Sequence, residues 1–158
     1  MDHSLKVGIS FGLTSAIITT LGLIVGLNAG TSSKLVVIGG ILTIAIADAF
    51  SDSLGIHISE EAENVHTAKE VWTSTAATFF AKLLFALTFL VPVLLFDLNT
   101  AIIVSIAWGL FALAVFSYYI ASQQKGNPWK AVAEHMAIGV LVIAVTNFVG
   151  GWIGTVFS

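Results

Sequence analysis

Asp48 and Asp52 stand four residues apart inside an otherwise apolar run, residues 35–58. On a helix this spacing stacks both carboxylates on one face, one turn from each other. Like charges so placed repel, and each charge at a bilayer centre costs ~2.5–3.5 kcal/mol on insertion scales. Such a pair persists where a bound cation, a proton or a lysine relieves it. The chemistry it suits is reversible binding of a cation or proton inside a membrane. The competing reading ends the helix early and leaves both aspartates at the interface. The strictly apolar part, however, stops at Ala47, too soon to complete a crossing. Lys82 is a second charge in an apolar stretch, residues 75–96. At ~1.5 Å per residue, Lys82 and Asp48 both fall about 9 Å deep. Lys82 therefore either pairs with Asp48 or snorkels to the headgroups on its long stem.

A second group of candidate ligands lies in the acidic connection at residues 59–73, with Glu60, Glu61, Glu63, His66 and Glu70. Read as a helix, Glu63, His66 and Glu70 share a face, and Glu60 lies one turn earlier. Glu-x-x-His is the spacing by which di-iron bundles aim two ligands at one metal. Carboxylate with imidazole suits Fe²⁺, Mn²⁺ or Zn²⁺, and no cysteine is present to make a softer site. The alternative is a solvated acidic face. Glu134 and His135 are weaker candidates for the same cluster, and His57 either joins them or is an incidental interfacial histidine.

The elements that must position these groups follow from composition. Of 158 residues, 57% are hydrophobic and only 9% charged, and the mean hydropathy is +0.99. A soluble domain carries about a quarter charged residues to stay wetted. A soluble enzyme, a nucleic-acid binder and a disordered chain are poor readings, and the net charge of −3 offers nothing to a phosphate backbone. The expected class is all-α, a polytopic membrane protein of one domain. Five spans are expected, at about 7–29, 35–58, 75–96, 100–122 and 128–157, each near the ~20 residues that cross a ~30 Å hydrocarbon layer. Asn99-Thr100 reads as the cap of the fourth, and Asn127-Pro128 as the start of the fifth. The first segment reads as a mature helix rather than a cleaved signal. Pro92 is expected to kink the third span.

All six basic residues are lysines. Five spans put Lys6, Lys69, Lys125 and Lys130 on one side and Lys34 on the other, which predicts a cytoplasmic N-terminus. Trp72, Trp129 and Trp152 fall near the boundaries, as interface anchors do. Small residues at four-residue spacing, Gly8 and Gly12, then Gly22, Gly26 and Gly30, and later Gly150 and Gly154, mark close helix packing. Thr146 and Asn147 are expected to hydrogen-bond between helices.

Three stretches resemble the vacuolar iron transporter family. They are Phe11-Gly12-Leu13-Thr14-Ser15-Ala16 with Leu21-Gly22-Leu23, then Ala47-Asp48-Ala49-Phe50-Ser51-Asp52-Ser53-Leu54, and finally Asn127-Pro128-Trp129-Lys130 with residues 144–150. The resemblance implies five spans, an inside N-terminus, a homodimer with the ion path near its two-fold axis, and movement of Fe²⁺ or Mn²⁺ out of the cytosol. It would also give the first-helix glycines an interchain role. Departures are clear. The family's first-helix aspartate position is Phe11 here, its second-helix methionine is Asp48, and its glutamate is Asp52. A carboxylate in place of a thioether favours harder ions such as Mn²⁺ or Ca²⁺. The family's longer cytoplasmic metal-binding helices are mostly missing, and Glu60, Glu61, Glu63, His66 and Glu70 look like a remnant.

The expected function is export of a divalent metal ion by proton exchange, from a multi-pass protein of a cell or vacuole-like membrane. The ion would be substrate rather than cofactor, with Asp48 and Asp52 binding it in the membrane and Glu60, Glu61, Glu63 and His66 gathering it. The rival is a non-transporting subunit or scaffold in which Asp48, Asp52 and Lys82 form a structural ion pair. No nucleophile–base partner or second motif supports an intramembrane enzyme.

Overall fold

In the computed structural model, described for residues 3–123 and 127–157, the chain is all-helical. The elements are α1 (His3–Thr31), α2 (Lys34–Glu63), α3 (Ala68–Thr88), α4 (Leu90–Leu95), α5 (Leu98–Ser122) and α6 (Pro128–Val156). With α3 and α4 taken as one broken span, five helices are long and apolar enough to cross a membrane. The protein is a multi-pass integral membrane protein.

The breaks have local causes. Pro92 has no N–H for the Thr88 carbonyl, and its ring crowds that carbonyl. The helix accordingly breaks at Phe89, between α3 and α4. Thr88 Oγ1 then donates to Phe85 O and accepts from Trp108 Nε1 at 3.0 Å, which ties the kink to α5. The α5 cap is Asp97, not Asn99-Thr100 as expected. Its carboxylate accepts from the Thr100 amide at 3.0 Å, and that bond holds the Asp97 carboxyl below its usual range. The α6 cap is Asn127, with Pro128 in the first turn.

The acidic connection is much shorter than expected. α2 runs on to Glu63 and α3 starts at Ala68, leaving a tight turn over 64–67. Asn64 takes the left-handed conformation at φ 55°, which ends α2. Thr67 and Glu70 form a reciprocal capping box that starts α3. The run 60–70 is thus two helix ends facing each other, not one helix. Lys6, Lys69 and Lys130 share one end of the bundle with this turn, and Lys34 lies at the other, donating to Phe96 O at 2.9 Å. Lys125 lies outside the described residues.

α1 is the central helix, packed against α2, α3, α5 and α6. Ile17, Leu21, Ile24 and Val25 form the core with Val37 and Ile41 of α2, Phe89, Val93, and Leu113 of α5. Its glycines set the approach distances. A Cβ on Gly12 would sit 2.7 Å from Thr78 O of α3, and one on Gly154 of α6 would sit 2.8 Å from Gly30 O. Gly8 meets Ser74 of α3, while Gly22 and Gly26 meet Thr146 of α6. Every one of these glycines faces a helix of its own chain. Thr146 packs its methyl on Gly22 but donates its hydroxyl to Val142 O within α6, not between helices.

A Cβ on Gly150 would run into Gly26 O, whereas Gly151 has nothing within 4 Å. Gly150→Ala should cost about 1–3 kcal/mol by overpacking. Thermal melting of the purified protein in detergent is expected to drop for Gly150→Ala and to be unchanged for Gly151→Ala.

Candidate functional site

Three helices converge on one ammonium. α3 turns Ser74, Thr78 and Lys82 inward at four-residue spacing, and all three are at most 1% exposed. Gly8 and Gly12 let α1 lie flush against this stripe and bring Ser15 to the level of Lys82. α2 supplies Asp48 and Asp52 from its single buried face, beside Ala45 and Ala49.

Lys82 Nζ lies 2.6 Å from Asp48 Oδ2, donates to Asp52 Oδ2, and donates to Ser15 Oγ at 2.7 Å. Ser15 Oγ in turn donates a hydrogen bond to Asp52 Oδ2 at 2.6 Å. An ammonium has three N–H groups, and three acceptors surround this one. Asp48 and Asp52 differ in their second contacts. Asp52 accepts hydrogen bonds from both Lys82 and Ser15. Asp48 Oδ2 receives no aligned hydrogen bond and is held by charge alone. Asp48 also lines a groove of about 590 Å³ between α1 and α2, with Leu23, Gly40 and Thr43. Its side chain keeps 24% exposure, while that of Lys82 keeps 1%.

With two carboxylates and one ammonium, the centre carries a formal charge of −1. Chemically it is an ion-pair triad whose positive member is a tethered side chain. A mobile cation of higher charge can compete for the same oxygens. Ser15 carries no spacing signal of its own in the sequence. Its only cue is position, seven residues after Gly8 and three after Gly12, on the stripe of α1 that faces α3.

The remaining candidates are not brought together. Glu60 turns inward, 6% exposed, and accepts from Ser74 Oγ at 2.7 Å. Glu61 faces His57 at 3.5 Å, and Glu63 faces His66 at 3.3 Å. Glu70 is occupied by the Thr67 cap. Glu134 lies 3.8 Å from Lys130, and His135 Nδ1 is 2.7 Å from Ser117 Oγ of α5. Among the described residues no three His, Cys, Asp or Glu side chains are gathered as a metal would need. Each is engaged separately, Glu60 by Ser74 inside the bundle, Glu61 by His57 one turn earlier on α2, and Glu63 by His66 across the start of the turn at 64–67.

Removing one member of a buried ion pair leaves the other uncompensated, at about 3–5 kcal/mol. Lys82→Met should therefore lower the melting temperature sharply. The triple variant Lys82→Met, Asp48→Asn, Asp52→Asn should regain most of the loss, since no buried charge is left. Melting curves of the set, read as a mutant cycle, check this.

Comparison with known families matches residues 54–151 to the VIT family. The matched stretch starts two residues after Asp52, and it contains Lys82, the α2–α3 turn, Glu134 and His135. No curated protein matches the chain. The match covers more than half of the chain, and the five apolar helices agree with a membrane transporter of metal ions. The chain belongs to the VIT family, the vacuolar iron transporters.

Proposed function

We propose that the protein exports a divalent cation of the Fe²⁺/Mn²⁺ type from the cytosol in exchange for protons, with Asp48 and Asp52 as the intramembrane ligands. The observation that carries this reading is the carboxylate pair, one turn apart within a span and held by the ammonium of a tethered side chain. A 2+ ion taking the place of the Lys82 charge brings the centre from −1 to neutrality, which favours the exchange. Protons arriving from the far side compete for the same oxygens and release the ion. Two hard carboxylates and no thioether favour Mn²⁺ and similar oxygen-seeking ions.

Asp48 supports a homodimer. A carboxylate open to a groove on the face of the bundle is costly against lipid, and a second copy covering α1 and α2 would shield it. Exposed Val36 of α2 lines the same groove and would be covered with it. Glu61, Glu63 and His66, at the end of the bundle that holds Lys6, Lys69 and Lys130, would attract cations as a loose acidic mouth rather than a formed site. The lysine bias puts that end in the cytoplasm. Reporter fusions should accordingly place the N-terminus inside and the C-terminus outside.

One observation favours a different reading. Lys82 donates hydrogen bonds to Ser15 and Asp52 and lies in charge contact with Asp48, as a permanent structural clamp in a non-transporting subunit would. Mn²⁺ uptake into proteoliposomes separates the two. Export predicts uptake well above empty vesicles, abolished in Asp52→Asn while the protein still inserts. It also predicts that Mn²⁺ raises the melting temperature of Lys82→Met more than that of the wild type, because the metal then replaces a missing cation. Uptake equal to that of empty vesicles, with no such stabilisation, selects the clamp.

A further inference from the structure

Two concavities meet at His57 and Trp72. One is an apolar groove of about 780 Å³ between α2 and α3, walled by Phe50, Leu54, Phe79 and Phe80. The other is a polar hollow of about 420 Å³ at the α2–α3 turn, edged by Glu61, Asn64 and His66. His57 and Trp72 line both, and no lysine lines either. A long apolar trough that ends in a polar cup, at the end of two membrane spans, has the shape of an amphiphile with an acyl chain and a headgroup.

Hydrogen bonding in the cup specifies the charge of that headgroup. Thr75 has one hydroxyl proton and gives it to Val71 O at 2.6 Å. Its Oγ1 therefore accepts from His57 Nδ1 at 2.9 Å. Nε2 faces Glu61 Oε1 at 3.5 Å without an aligned hydrogen bond between them, and the exposed Glu61 carboxylate leaves room for a cation at the rim of the cup. A primary ammonium has the donors to bridge both. The Trp72 ring, 4.7 Å from the His57 ring between centroids, adds an aromatic surface that attracts a cation. Asn64 brings a side-chain amide N–H to the same cup, suited to an adjoining phosphate.

We propose that this trough and cup bind a bilayer phospholipid with a primary-amine headgroup. Its chain lies along Phe50 and Phe79 and its ammonium bridges His57 and Glu61. The site is separate from the Asp48–Asp52–Lys82 centre and does not depend on what that centre carries.

The test is native mass spectrometry of the full-length protein titrated with phosphatidylethanolamine, phosphatidylcholine and phosphatidylglycerol of identical chains. Phosphatidylethanolamine should be retained roughly 3- to 10-fold more than the other two. Glu61→Gln and Trp72→Leu should each remove that preference. Both side chains are more than 60% exposed, so the fold is kept. Leu54→Trp, which obstructs the trough, should lower retention of all three lipids. Equal retention of the three, a preference for phosphatidylglycerol, or an undiminished preference in Glu61→Gln would overturn the proposal. So would loss of the preference in EDTA, which would mean that a metal ion bridges His57 and Glu61.

Discussion

The structure depends on the compensation of one buried ammonium. Lys82 has no route to water at 1% exposure, so its charge must be met inside the bundle. A lone ion there would cost several kcal/mol. Asp48 and Asp52 on their own would repel across a single helical turn. Each charge is tolerable only because of the others, which fixes the register of α2 against α3 and of both against α1. Shifting α2 by one turn would leave Lys82 with one carboxylate and leave the second facing apolar side chains.

That compensation needs helices closer together than ordinary side chains permit. Gly8 and Gly12 let the α1 backbone touch the α3 carbonyls, which is what carries Ser15 to within a hydrogen bond of Lys82. Further along α1, Gly22, Gly26 and Gly30 do the same against α6. Without a hydrophobic force between helices in lipid, such contact is a principal source of cohesion. The small-residue stripes and the charged centre are therefore parts of one arrangement. The stripes set the spacing, and the centre sets the register.

The two aspartates are held unequally. Asp52 is locked by two hydrogen bonds, while Asp48 has a charge contact only and opens to the α1–α2 groove. In the exchange we propose, an incoming cation would meet Asp48 first and Asp52 second. Phe11, at the position where the family resemblance implies an aspartate, supplies no charge. The anionic character that α1 would bring there is concentrated on α2 instead.

Composition alone determined the class. With so few charges the chain cannot wet its own surface, and five apolar runs of crossing length leave the backbone no structure but helix. The spacing of Asp48 and Asp52 likewise put both carboxylates on one face, and Pro92 marked the break at Phe89, because helical periodicity and proline sterics are local. Other features were not local. The positive φ at Asn64 and the Thr67 capping box ended one helix and began another inside what reads as a continuous acidic helix, so Glu63 and His66 still meet but Glu70 caps α3 instead of joining them. Ser15 joined the centre only because α1 glycines fit against α3. Whether Gly8 to Gly30 pack within the chain or between chains depends on which helices the loops bring together. That choice is made by packing over the whole bundle, and no short-range pattern carries it.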